Sequence, residues 1–135
     1  MFDLSKNNLS EIAEAGIWFD LVMPDTLTET GARIKVRGSD SPTVRKVMRK
    51  IASEQTLKAQ KAKRQGKEHE PSFTELDELN LESAVARIID WQGIGENGVE
   101  IPFTKENAER VLSAHNWIMA AVIDNSTDGS KFRPE

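Results

Sequence analysis

The chain has 135 residues, enough for one domain that buries its own core without metals or cross-links. Apolar residues make up 38% and charged residues 30%, and cysteine is absent, which excludes disulfide frameworks, thiolate chemistry and iron–sulfur or thiolate zinc sites. The net charge of −4 is unevenly placed: Arg45 to Lys67 holds nine basic residues and one acid, about +8, so the remainder carries about −12.

Met1 to Ala15 is mixed, with Leu4, Leu9, Ile12 and Ala13 as its apolar points, and reads as a short turn or an arm. It lacks a basic leader followed by an apolar run, so no secretory signal is expected. From Gly16 to Met23 the residues alternate, with Ile17, Phe19, Leu21 and Met23 on one face and Trp18, Asp20 and Val22 on the other, the period of a strand. After the turn-rich stretch Pro24 to Gly31, Ala32, Ile34 and Val36 alternate with Arg33, Lys35 and Arg37. The two strands predict a β-hairpin with a long loop, whose apolar face needs helices or another strand to cover it.

Ser41-Pro42 is a helix start, a serine cap with proline at the first helical position. Val44, Val47, Met48, Ile51 and Ala52 then form one stripe, which fades beyond Ser53 to Leu57, Ala59 and Ala62. The helix is expected to be anchored by its first half, its second half projecting into solvent or meeting a partner, and Gly66 ends it. Ser72-Phe73-Thr74-Glu75 matches a capping box. The helix it opens carries Phe73, Leu76, Leu79, Leu81, Ala84, Val85, Ile88 and Ile89, a set wide enough for the central core helix, closed by Gly93 and Gly95.

Asn97-Gly98 signals a tight turn between Trp91/Ile94 and Val99/Ile101. Thr104 caps a helix that buries Ala108, Val111 and Leu112, and a further short helix around Trp117, Ile118, Ala121 and Val122 follows a break near His115-Asn116. Trp117 to Ile123, seven residues, is the longest apolar stretch, where a membrane span needs about 20. From Asp124 the chain is polar. These elements predict an α+β fold, an N-terminal β-hairpin packed on a bundle of about four helices with a short second hairpin or strand near 94–102. One domain over residues 1–123 and a flexible tail over 124–135 are expected.

Nothing in the sequence points to catalysis, and no enzyme is expected. His69 lies in a charged linker and His115 at a helix end, with no nucleophile near either in sequence. Asp77/Glu78 and Glu106/Glu109 fall on wet helix faces rather than as an acid–base pair. Gly93-Ile94-Gly95 lacks the third glycine and the preceding strand of a dinucleotide fingerprint, and no Walker loop, H-x-x-x-H pair or EF-hand occurs, so no cofactor or metal is expected. The basic run could attract nucleic acid through its phosphates, but it has no aromatic residue for stacking and no base-reading motif. A solvated face, or one that meets an acidic partner or a neighbouring copy, is the favoured reading, with a nucleic-acid-binding regulator using 45–67 as the alternative. Trp18 is either covered by a helix or exposed for a partner, and Trp91 and Trp117 are placed at helix ends, closing the core.

The order of segments is recognisable. A hairpin ends in Lys35-Val36-Arg37-Gly38-Ser39-Asp40-Ser41-Pro42, a basic helix and an alanine-containing helix follow, and the latter leads into Ile89-Asp90-Trp91-Gln92-Gly93-Ile94. Then come Ile101-Pro102-Phe103-Thr104-Lys105-Glu106-Asn107-Ala108 and His115-Asn116-Trp117-Ile118. Over nearly its whole length the chain resembles the tail assembly chaperones of long-tailed bacteriophages. The resemblance implies a non-enzymatic protein of the bacterial host cytoplasm, absent from the finished virion. Such proteins bind the aggregation-prone tape measure protein, keep it soluble and help tail-tube subunits assemble around it. Candidate client surfaces are Trp18 and Val22 on the hairpin, Leu57, Ala59 and Ala62 on the basic helix, and Trp117 and Ile118. Self-association through Arg45, Arg49, Lys58, Lys61 and Arg64 against the acidic remainder is also expected.

Overall fold

Glycine opens the first strand because nothing else fits there. Gly16 sits at φ +80°, and a Cβ would lie 2.4 Å from Ile89 Cδ1 and 2.7 Å from the Val36 carbonyl oxygen. It joins helix α1 (Leu9–Ala15) to strand β1 (Ile17–Val22), which returns through β2 (Glu29–Val36). Helices α2 (Pro42–Arg64) and α3 (Phe73–Arg87) follow, then β3 (Ile88–Gln92), the two-residue strands β4 (Gly95–Glu96) and β5 (Val99–Glu100), and helices α4 (Lys105–Ala114) and α5 (Asn116–Thr127). Residues 1–134 are described, in a computed structural model. The α+β class and the N-terminal hairpin expected from the pattern are both present.

The hairpin is two thirds of a sheet. β1, β2 and β3 lie side by side, antiparallel throughout, with Phe19, Ile34 and Trp91 in register across the three strands and Ile17, Val36 and Ile88 in the next row. Phe19, Ile34, Val36, Ile88 and Trp91 are buried, so this face carries the core. The reverse face holds Trp18, Lys35 and Asp90 in one row and Asp20, Arg33 and Gln92 in the other, the alternation of a sheet wet on one side. β4 and β5 form the small second hairpin expected near Asn97-Gly98, with both turn residues at positive φ.

β3 corrects the expected helix, which ran through Ile88 and Ile89 to Trp91. The helix stops at Arg87 without a glycine because its last carbonyls find another donor. The Arg37 guanidinium Nη1 donates to Ala86 O (3.1 Å) and Ile88 O (3.2 Å), and the Arg37 amide donates to Arg87 O (2.6 Å). Ile88 is then free to extend along the open edge of β2. Trp91 is buried in this strand rather than at a helix end; its Nε1 donates to Ile101 O (2.8 Å), and its ring meets Phe103 edge-on at 5.3 Å.

α2 and α3 form an antiparallel pair, as the cross-links Lys50–Glu82 and Lys58–Glu75 show. The second half of α2 therefore runs beside the first half of α3 rather than standing alone. Of the stripe on α2, Val44 and Ile51 are buried, Val47 is half-buried, and Met48 and Ala52 are exposed. Phe73, expected in the core, is 89% exposed. α4 buries Ala108, Val111 and Leu112, and the chain breaks at His115 before α5, both as the sequence indicates. The loose tail expected from Asp124 is corrected over the described residues. α5 continues to Thr127, Ser126 is buried, and Phe132 is buried against Gly38 and Ala13. No helix of the described residues is long and apolar enough to cross a membrane.

Candidate functional site

The root of α2 is fixed by one carboxylate. Glu14, near the end of α1, accepts from Ser41 Oγ (2.5 Å), Thr43 N (3.0 Å), Thr43 Oγ1 (2.8 Å) and Arg37 Nε (3.2 Å). Partial burial pushes its pKa up, but the hydrogen bonds from Ser41, Thr43 and Arg37 outweigh this and hold it down at about 2. Ser41 meanwhile caps α2 through the Val44 amide. The helix pair is thereby aimed from a rigid corner.

An apolar cleft of about 610 Å³ opens between α2, α3 and the start of α4. Val47, Leu81, Val85, Ile88 and Phe103 form its floor. Its rim carries both signs: Lys50, bonded to Glu82 at 3.2 Å, then Lys105, Glu78 and Glu109. Among the described residues Glu78, Glu109 and Lys105 have no ion-pair partner. A second, more polar cleft of about 470 Å³ lies at the far end of the pair, walled by Lys58, Lys61, Ala62, His69 and Glu75. These shapes suit non-covalent recognition of an amphipathic surface: an apolar floor for burial and a charged rim for orientation.

The candidate residues scatter over several surfaces. Trp18 lies half-buried on the wet face of the sheet, where no helix covers it; the Arg33 guanidinium sits 5.3 Å over its ring and also pairs with Asp20 at 3.3 Å. Val22 is half-buried at the end of β1, opposite Glu29. Leu57 (64% exposed) and Ala59 are open on α2, and Ala62 is half-buried in the far cleft. Trp117 is half-buried against the core. Ile118 is corrected: it is 6% exposed, a core residue with no surface to offer. The structure brings none of these into one patch with the cleft floor; Ala62 lines the separate polar cleft.

Among the charged residues, Arg45, Arg49, Lys61 and Arg64 are exposed and have no ion-pair partner among the described residues. Lys58, by contrast, is paired within the chain: its ammonium lies 2.8 Å from Glu75 and this hydrogen bond raises its pKa. Glu75 departs from the full capping box. Its amide donates to the Ser72 hydroxyl oxygen, but its carboxylate accepts from Lys58 and Gln55. His69 Nε2 lies 3.3 Å from Gln55 Oε1, and His115 is exposed at the α4–α5 junction.

Sequence reasoning missed the cleft floor, treating Leu81 as ordinary core and leaving Phe103 unassigned. One signal was available. The apolar positions of α3 spread around most of its circumference, more than a single neighbouring helix can cover.

The comparisons with known proteins bear on the region that builds both clefts. A family model described as the YdaY prophage protein matches residues 40–135, from the turn before α2 to the C-terminal end, while α1 and the first hairpin lie outside the match. No curated protein and no solved structure matches the chain. With well over half of its length matched, the chain belongs to the YdaY prophage protein family and is of phage origin.

Proposed function

We propose that this protein is a non-enzymatic tail assembly chaperone that binds the tape measure protein of its phage, keeps it soluble and helps recruit tail-tube subunits. The phage origin of the family supports the setting, and the resemblance of the segment order supports the role. The observation that carries the reading is the open apolar cleft at the α2–α3–α4 junction. An extended helical client has apolar stripes that aggregate when exposed, and a helix laid in a groove of this kind buries such a stripe at i, i+3, i+4 and i+7 positions. The unpaired Glu78, Glu109 and Lys105 at the rim would set its direction. The protein is expected to work in the host cytoplasm and to be absent from the finished particle.

The test is co-expression with the tape measure protein of the same prophage, followed by co-purification at about 0.3 M salt, where surface charge contacts are largely screened. The long protein is expected to become soluble and to travel with this one. Leu81→Asp, which places a charge on the cleft floor, is expected to abolish this while the circular dichroism spectrum of the chaperone is unchanged. A client that stays insoluble with the native chain, or one rescued equally by the variant, overturns the reading.

A second reading, a nucleic-acid-binding regulator, has one observation in its favour. The outward face of α2 carries Arg45, Lys46, Arg49, Lys63 and Arg64 with no acid paired to them. It requires DNA or RNA binding that weakens steeply with salt.

A further inference from the structure

The α2–α3 pair has two flanks, and the clefts take up one of them. On α2, Val44 and Ile51 are buried and mark the inward line. At about 100° per residue, Val47, Lys50 and Lys58, which line the clefts, fall on one side of it and Met48, Ala52 and Ala59 on the other. α3 divides in the same way. Glu75 and Glu82 reach α2; Glu78, Leu81 and Val85 line the clefts; and Leu76 falls on the opposite side, with Phe73 one turn before it. Because Lys50 stands opposite Glu82 and Lys58 opposite Glu75, Ala59 is level with Phe73, and Leu76 lies between the levels of Ala52 and Ala59. These residues make one apolar strip along two helices. Nothing among the described residues covers it: Phe73 is 89% exposed, Leu76 41% and Met48 40%, and both alanines are exposed.

The two edges of the strip differ in charge. Along α2 it is bordered by Arg45, Arg49 and Lys63, all exposed and none with an ion-pair partner among the described residues. Along α3 it is bordered by Asp77, exposed and equally unpaired, and by the neutral Asn80. The one cation of α3, Arg87, is buried, so the charges this helix presents are acidic. A surface with a basic edge, an apolar middle and an acidic edge is complementary to itself after a half turn. A partner of a single charge sign would suit one edge and oppose the other.

We propose that this flank binds a second copy of the chain. In the dimer α2 of one copy lies along α3 of the other, the two apolar strips meet, and the four helices close a bundle. The strip gains the cover it lacks in one copy, and Arg45 and Arg49 gain acidic partners. The clefts lie on the opposite flank and stay open, so the dimer does not depend on the chaperone role.

The experiment is sedimentation of the full chain over a dilution series at about 0.1 M salt, where contacts between exposed charges are only partly screened. The native chain is expected to pass from dimer to monomer on dilution. Arg45→Glu/Arg49→Glu makes both edges acidic, and Asp77→Lys/Asn80→Lys makes both basic. Each variant alone is expected to have a dissociation constant raised at least about tenfold, because like charges then face each other. Mixed in equal amounts, the two are expected to dimerise within about threefold of the native affinity, since each reversed edge meets an opposite one. All four substituted side chains are exposed, and circular dichroism checks that each variant is folded. A native chain that is monomeric throughout overturns the proposal and leaves the strip to a partner of another kind. So do variants that dimerise as well as the native chain, and variants whose mixture stays monomeric.

Discussion

Glu14 gathers four hydrogen bonds onto one carboxylate, and their combined effect is visible in its depressed pKa of about 2. A folded-state pKa below the unfolded value means that the contribution is fully present above about pH 4.5 and is lost as pH falls toward about 2. The side chain is 37% exposed, so solvent screening reduces the full linkage value, and about 1–2 kcal/mol is the expected contribution. Glu14→Gln is therefore expected to lower stability by that amount at neutral pH and to flatten the acid limb of the stability curve between about pH 4.5 and 2. Urea unfolding of both proteins at a series of pH values checks this; parallel acid limbs would count against it. Nothing in the sequence around Glu14 marks it, because its partners come from the turn after β2 and the start of α2. The pairing of Lys58 is hidden from the sequence for the same reason: Glu75 reaches it only through the packing of α3 on α2.

At the level of elements, signals written within a few residues were legible and those that depend on distant partners were not. Ser41-Pro42, Ser72 and Thr104 each cap the helix they open, because a cap needs only its own side chain and an amide three residues on. The alternation of Ile17 to Val22 and Ala32 to Val36 placed the hairpin and its buried face. β3 was illegible, since Ile88, Ile89 and Trp91 satisfy a helical and an extended pattern alike, and the decision lies with Arg37 and the free edge of β2. The cleft floor was hidden in a different way, as residues that look like core and are core on one side only. The docked C-terminal segment turns on Phe132, whose packing partners Gly38 and Ala13 lie at the other end of the chain. Phe132→Ala is expected to cost about 3 kcal/mol, a value ordinary for emptying a buried aromatic site. It should shift the urea midpoint without changing the m-value, and a change below about 1 kcal/mol would restore the loose-tail picture.

The whole molecule is polarised in charge. α2 spans 23 residues, about 34 Å, and its outward face is basic while the rest of the chain is acidic. Two such molecules attract when the basic helix of one meets the acidic body of another, and contacts of this kind weaken as salt rises. Light scattering at about 0.05 M and 0.5 M salt is expected to show a larger particle at the lower value, with Arg45→Glu/Arg49→Glu remaining small in both. A particle size independent of salt in the native chain removes charge-ordered self-association and leaves the cleft as the main surface for a partner.

The meeting of Phe132 with Ala13 and Gly38 has a mechanical meaning. The first helix and the last described residues are fastened at one corner, the same corner from which α2 departs, while the turn joining α2 to α3 lies a full helix length away. The molecule has a clasped corner and a distal turn, set apart by the length of one helix.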